Sequence, residues 1–171
     1  MIFVTVGTHE QPFNRLIQAV DELCGSGIIT EPVIMQTGFS TYQPKNCGWK
    51  SFFSYEDMEK NVLNSRITIT HGGPSSFMIP LHAGKVPIVV PRQASFNEHV
   101  NNHQVEFVEA VAKRLGSIIP VFNIDDLAEI ITSYDAILVS SRNGINRMNT
   151  NNDRFSNEFE HIVKSMFAEK E

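Results

Sequence analysis

Apolar residues along the chain fall into two kinds of run: short unbroken blocks rich in Val, Ile and Phe, and longer stretches in which they recur every three or four positions. Unbroken blocks suit strands covered on both faces, the longer period suits helices packed along one face, and their alternation is the pattern of a parallel sheet wrapped by helices. Residues 2–6 (Ile-Phe-Val-Thr-Val) form the first strand, and Gly7-Thr8-His9 turns the chain. Pro12 opens a helix with Phe13, Leu16, Ile17, Val20 and Leu23 on one face, stopped by Gly25 and Gly27. Residues 33–36 are the second strand. A polar loop with Pro44, Asn46 and Gly48 leads to a short third strand at 49–53.

Ser54 caps a helix over 55–63, with Glu56, Asp57 and Glu59 near its positive end. Residues 66–70 are the next strand, and they run directly into His71-Gly72-Gly73-Pro74-Ser75-Ser76. A helix over 75–83 follows despite Pro80, whose missing N–H costs a hydrogen bond or a kink. A strand at 86–90 is closed by Pro91. The spacing of Val100, Val105, Phe107, Val108, Val111 and Leu115 predicts one long helix over 98–115, ended by Gly116. A strand at 118–121 and a helix at 125–132 complete the alternation.

Residues 1–141 thus read as one α/β domain, a Rossmann-like parallel sheet with helices on both faces. Residues 142–154, rich in Asn, read as a polar loop, and 155–171 as an amphipathic helix carrying Phe155, Phe159, Ile162, Val163, Met166 and Phe167 on one face. At 171 residues one hydrophobic core is the expectation. A net charge of −5 without any Lys/Arg run offers no attraction to nucleic acid or an anionic bilayer. The opening residues lack a basic n-region and no later stretch reaches membrane-spanning length, so a cytoplasmic location is expected. Cys24 and Cys47 lie far apart without a C-x-x-C spacing and read as reduced thiols.

Three segments carry chemistry. A strand ending in His71-Gly72-Gly73-Pro74-Ser75-Ser76 and entering a helix makes an anion site from backbone N–H groups and the helix dipole, and Ser75 or Ser76 adds a hydroxyl donor. The sequence is neither a Walker A loop nor a G-x-G-x-x-G fingerprint, and a plain tight turn with a Ser cap is its structural alternative. Gly7-Thr8-His9 is a second strand-to-helix turn. If the two strands are neighbours, both turns face one ligand crevice at the carboxyl edge of the sheet. The third segment, residues 91–104, is dense in polar side chains. On a helix Glu98 and Asn102 would share one face, as would His99 and His103. No third ligand completes a metal site there, so no metal is expected.

The stretches Thr70-His71-Gly72-Gly73-Pro74-Ser75, Gly84-Lys85-Val86-Pro87-Ile88-Val89-Val90-Pro91-Arg92 and Asn97-Glu98-His99-Val100-Asn101-Asn102-His103-Gln104 resemble the carboxyl-terminal domain of family 28 glycosyltransferases. The opening Phe3-Val4-Thr5-Val6-Gly7-Thr8-His9, with Phe13-Asn14-Arg15-Leu16-Ile17, is similar to its short stand-alone members. Those are the catalytic subunit of the eukaryotic transferase that extends dolichol-diphosphate-linked N-acetylglucosamine, and bacterial exopolysaccharide and capsule β-1,4-galactosyltransferase subunits, the nearer match.

The resemblance implies the donor half of a GT-B enzyme split between two polypeptides, with a UDP-sugar as substrate and no further cofactor. A membrane-associated partner equivalent to the amino-terminal half would present a polyprenyl-diphosphate-linked acceptor and recruit this chain to the inner membrane face. Gly7, Thr8, His9, His71, Gly72, Gly73, Pro74, Ser75 and Ser76 would contact the diphosphate. Arg92 would lie near the uracil, and Glu98, Asn102, His103 and Gln104 would line the donor sugar and ribose. His71, His9 and Glu98 are the candidate catalytic groups. Many family members hold the ribose with a glutamate where this chain has Ile79, followed by Pro80. Ribose recognition then falls to another residue, such as Glu98. The competing reading is a non-catalytic scaffold for the partner. An epimerase is disfavoured because no Tyr-x-x-x-Lys pair is present.

Overall fold

The computed structural model describes residues 1–145, so the expected helix over 155–171 and most of the polar loop before it lie outside the described residues. Six strands, β1 Ile2–Thr5, β2 Val33–Gln36, β3 Gly48–Lys50, β4 Ile67–His71, β5 Ile88–Val90 and β6 Ile119–Pro120, form one sheet. Their order is β3-β2-β1-β4-β5-β6 and every pairing is parallel. The helices are α1 Asn14–Gly25, α2 Tyr55–Asn64, α3 Pro74–His82, α4 His103–Leu115, α5 Leu127–Thr132 and α6 Tyr134–Ile145. This is the expected Rossmann-like arrangement.

Strand alternation sends side chains to two cores. Ile2, Val4, Ile67, Ile69, Ile88 and Val90 pack against Leu16, Ile17 and Val20 of α1 and Leu127 and Ile131 of α5. On the other face Val89 meets Phe77 of α3 and Phe107, Val108 and Val111 of α4. Because both faces are covered, the central strands are mostly apolar, and apart from Thr68 near the start of β4 their polar residues Thr5, Gln36, Thr70 and His71 lie buried at the carboxyl ends. Those ends are where a site can form.

Several boundaries differ from the pattern-based expectation, each for a local reason. The third strand ends at Lys50, because Gly38 N–H already takes the carbonyl of Ser51 and the chain then turns into the Ser54 cap. α1 begins two residues beyond Pro12, after Phe13 N–H is taken by the Ser40 hydroxyl at 3.1 Å. α4 starts at His103 and not at 98. A 3-10 turn over Ala94–Phe96 ends in Asn97, whose φ of 57° breaks any helix there. α6 was not expected and runs into the stretch read as polar loop. Pro80 is accommodated by burial in α3, and its carbonyl accepts from Lys85 N–H at 2.9 Å. The Lys85 ammonium also gathers the carbonyls of Val62, Leu63 and Ser65, closing the end of α2.

Cys24 and Cys47 are free thiols whose sulfurs are 3.2 Å apart, a proximity the sequence separation conceals. Burial raises the pKa of both, and the neighbouring Asp21 carboxylate adds to the effect. Among the described residues, no helix is long and apolar enough to cross a membrane, and no group of three or more His, Cys, Asp or Glu is arranged to hold a metal ion.

Candidate functional site

In this strand order the connections reverse direction between β1 and β4, so the loops that leave their carboxyl ends diverge and open a crevice. A cleft of about 840 Å³ lies there, lined among others by Gly7, Thr8, His9, His71, Ser75 and Ser76. The two glycine-containing turns that the sequence singled out therefore face each other across one cavity.

The His71 ring occupies the space that both turns leave. A Cβ on Gly7 would stand 2.3 Å from its Cε1, and a Cβ on Gly73 would stand 2.3 Å from its Nε2. The glycines are needed first by this imidazole. Only 7% of His71 is exposed, and its Nδ1 makes no hydrogen bond of ordinary geometry. Burial, followed by the Arg92 charge, brings its pKa down to about 3; the Thr5 backbone opposes this, and the neighbouring His9 and His99 add smaller contributions in the lowering direction. His71 is a neutral ring at physiological pH, too weak a base to remove an acceptor proton.

The anion-binding end of α3 is narrower than the sequence suggests. Gly72 N–H donates to Gln104 Oε1 at 3.1 Å, Pro74 has no N–H, and Ser76 N–H closes a turn on the Gly73 carbonyl at 3.0 Å. What remains at the helix mouth is the N–H groups of Gly73 and Ser75 together with the Ser75 and Ser76 hydroxyls.

Arg92 and Glu98 were expected at the ligand, and the structure places both in the framework. Arg92 is fully buried. Its guanidinium donates to the carbonyls of Gln11 at 2.7 Å, Glu98 at 3.1 Å and Val6 at 2.9 Å, and it stacks on Phe13. Burial lowers its pKa to about 10, which leaves it cationic near neutrality. Glu98 forms a two-pronged pair with Arg15 at 2.9 and 2.8 Å and accepts Gln93 N–H at 3.1 Å. Its side chain is 4% exposed. A carboxylate so engaged is available neither as a base nor to a ribose.

The helix-face argument for residues 98–103 fails with the helix itself. Asn102 is the N-cap position of α4, and its Oδ1 takes Ala94 N–H at 2.9 Å. His103 opens α4 beside Glu106, its Nδ1 3.4 Å from Oε2. His99 turns away from that helix and stacks on His9 with ring centroids 4.8 Å apart and planes 23° apart. Burial, and after it the neighbouring His9 ring, lowers the pKa of His99. Gln104 does line the cleft. Its oxygen is shared between Gly72 N–H and Arg92 N–H, both at 3.1 Å, which leaves its NH2 as the donor.

Sequence reasoning missed the wall opposite the turns. Gln36 is buried at the end of β2, giving a bond to Thr5 Oγ1 at 3.2 Å and taking Phe53 N–H at 2.9 Å. Phe53, Tyr55 and Met58 continue that wall into α2, and Ile79 and His82 close it from α3. A glutamine ending an otherwise apolar strand was the available signal.

A family model described as the glycosyltransferase family 28 C-terminal domain matches residues 1–164. The chain belongs to that family. Among solved structures, this family 28 domain is similar to the glycosyltransferase SnogD from Streptomyces nogalater, with 17% identity over 70% of this chain and 30% of that one, at a TM-score of 0.48. It is also similar to the glycotransferase of kitacinnamycin, with 15% identity over 80% of this chain and 35% of that one, at 0.52. At such identity the second likeness shows the fold alone, that of a GT-B carboxyl-terminal half. The domain thus spans about a third of the length of these two proteins. No curated protein matches it.

Proposed function

We propose that this chain is the donor-binding half of an inverting glycosyltransferase that uses a UDP-sugar. The observation that carries the reading is the cleft at the β1/β4 switch point. One end offers the Ser75 N–H, the serine hydroxyls and the His9 ring to a diphosphate, and the other offers Phe53 and Tyr55 to a planar base. With Arg92, Glu98 and Gln36 held in the framework, Gln104 and His82 are polar side chains left for ribose and sugar hydroxyls. In such a transfer the acceptor oxygen bonds to the anomeric carbon, the bond to the diphosphate breaks, and UDP leaves with the electron pair. This half supplies stabilisation of that leaving group. The base that takes the acceptor proton is assigned to the other wall, since Glu98 and His71 are unsuited to the task and the His9 ring is given to the diphosphate.

The second wall is assigned to a membrane-associated partner that presents a lipid-linked saccharide on the cytoplasmic membrane face. One observation supports a docked second wall: exposed apolar side chains gather on the cleft edge of the sheet, Phe39 after β2, Phe52 after β3, Phe96 and Val100 after β5, and Phe122 after β6. The resemblance of the opening residues favours a β-1,4-galactosyltransferase subunit of exopolysaccharide or capsule assembly.

Thermal unfolding with UDP, UDP-galactose and UDP-N-acetylglucosamine tests the donor site. A donor at 100 times its Kd stabilises by about 2.7 kcal/mol, and no shift with any of them removes the reading. Radiolabel transfer to membrane lipid acceptors, with the chain supplied alongside a membrane protein resembling the amino-terminal half, tests donor and partner together. Transfer that survives Ser75→Ala with Ser76→Ala and Gln104→Ala would favour a non-catalytic scaffold.

A further inference from the structure

His9 and His99 reach one spot from distant parts of the chain, the first on the loop after β1 and the second in the turn before α4. Each ring has one nitrogen fixed by a neighbour. Nε2 of His9 faces Gln11 Oε1 at 2.9 Å, and the Gln11 amide is oriented by its own bond to the Asn97 carbonyl, so this nitrogen carries hydrogen. Nδ1 of His99 accepts Asn101 N–H at 3.3 Å, so His99 carries its hydrogen on Nε2. Protonating His99 would break that bond. Nδ1 of His9 is therefore the position in the pair where a proton adds without breaking a hydrogen bond.

The groups around the pair are positive, neutral or already engaged. Arg92, on the loop after β5, is a cation that acts on His99, whereas His71, at the end of β4, is a neutral ring. Glu98, which precedes His99, is paired with Arg15, and Glu10, which follows His9, is exposed. An empty site thus has no free buried carboxylate to hold a proton on the pair, and burial, His9 and Arg92 together outweigh the opposing contacts with Asn101 and lower the pKa of His99. His9 lines the same cleft as Ser75 and Ser76, so an entering diphosphate would reverse the local sign of the field.

We propose that the stacked pair takes up one proton, at Nδ1 of His9, when the diphosphate of the donor enters the cleft, and that this imidazolium is the counter-charge to the departing UDP. The inference rests on the donor reading above. As the bond from the anomeric carbon to the diphosphate breaks, its electron pair passes to the diphosphate oxygen, and the proton stays on His9 until UDP departs. The acceptor's own proton goes to the base on the other wall. His99 is a positioning residue that holds the His9 ring by stacking.

The test is calorimetric titration of the full chain with UDP-galactose and with UDP-N-acetylglucosamine, whose diphosphate diesters have no ionisation of their own near neutrality. Buffers of different ionisation enthalpy report protons taken up. The expected result is uptake approaching one proton per donor, with affinity falling about tenfold per pH unit where the loaded pair holds the proton and the empty pair does not, and levelling off once the loaded pair loses it. His9→Phe, which keeps a stacked ring, abolishes uptake and flattens the pH profile. His99→Ala weakens binding at low pH, and His99→Phe restores it. Imidazole NMR signals of the wild type show one ring becoming protonated on adding donor. Donor binding with no proton uptake, or uptake undiminished in His9→Phe, overturns the proposal and leaves the donor site standing. If no UDP-sugar binds at any pH, the donor reading fails and this one fails with it.

Discussion

Three glycines separate two reasons for lacking a side chain. Gly27 has a φ of +76° and nothing within 4 Å of a would-be Cβ, so alanine there meets left-handed backbone strain alone, about 1–2 kcal/mol. Gly73 has an ordinary φ of −76°, but its Cβ would stand 2.3 Å from His71 Nε2. Alanine there meets the ring alone. Relief requires the ring to move by more than an ångström, and Gly7 backs its other side, so a typical over-packing cost of about 1–3 kcal/mol applies. Gly7 combines a φ of +72° with a Cβ contact of 2.3 Å to His71 Cε1, and Gly7→Ala sums to about 2–5 kcal/mol. Urea unfolding at fixed pH reads these costs from the midpoints, provided the slopes agree. In a His71→Ala background the cost of Gly7→Ala should fall to that of Gly27→Ala, and Gly73→Ala should become nearly neutral. Equal costs for Gly7→Ala and Gly27→Ala in both backgrounds would refute the argument that these turns are glycine-rich to seat the imidazole.

Other consequences follow from single side chains. His71 is neutral when folded and protonates below about pH 6.5 when unfolded, so stability falls as pH drops from 6.5 toward 3 by about 1.4 kcal/mol per unit from this group. His71→Asn should lose that component of the slope in denaturant titrations run pH by pH. Glu98→Ala leaves the Arg15 guanidinium buried without its partner and should cost about 3–5 kcal/mol, with Glu98→Gln costing less. A Glu98→Ala protein that unfolds like wild type yet fails to bind donor would return Glu98 to the ligand. The Asp21 carboxylate takes the N–H groups of Lys45 and Asn46 and the Tyr42 hydroxyl. Burial raises its pKa, but these bonds outweigh burial and hold it below 3.8. Asp21→Asn should cost about 2–3 kcal/mol at pH 7, a difference that vanishes as pH falls through the folded-state value and the wild-type carboxylate protonates.

The sheet was legible because its central strands are buried on both faces and so read as unbroken apolar blocks. The edge strand β3 is exposed throughout and lacks that signature, so the sequence places it but carries its end three residues too far. α6 went unseen because its apolar residues Ile137, Leu138 and Val139 are followed by Ser-Ser-Arg-Asn-Gly, which breaks the helical period. The site was half legible. Residue types marked the right segments, but Arg15 and Glu98 are 83 positions apart, and Arg92 and Val6 are 86 apart. Nothing local distinguishes a charged side chain aimed at a ligand from one that ties two loops together.

That distinction changes how the site has to be probed. Arg92 bridges the loop after β1 to the turn before α4, Glu98 fastens that turn to α1, and the Gln104 oxygen joins the glycine turn to the loop after β5. These bonds preorganise both lips of the cleft before any ligand arrives, so their loss would abolish donor binding by loosening the frame. Inactivity in such variants therefore says nothing about contact with the donor. Contact is tested at positions whose polar groups carry no framework bond, such as the hydroxyls of Ser75 and Ser76, the His82 ring and the free NH2 of Gln104. Of these, Gln104→Glu is the sharpest: it keeps an acceptor oxygen for the Gly72 and Arg92 N–H groups but replaces the donor that faces the cleft with a negative charge, so stability should hold while affinity for an anionic donor falls.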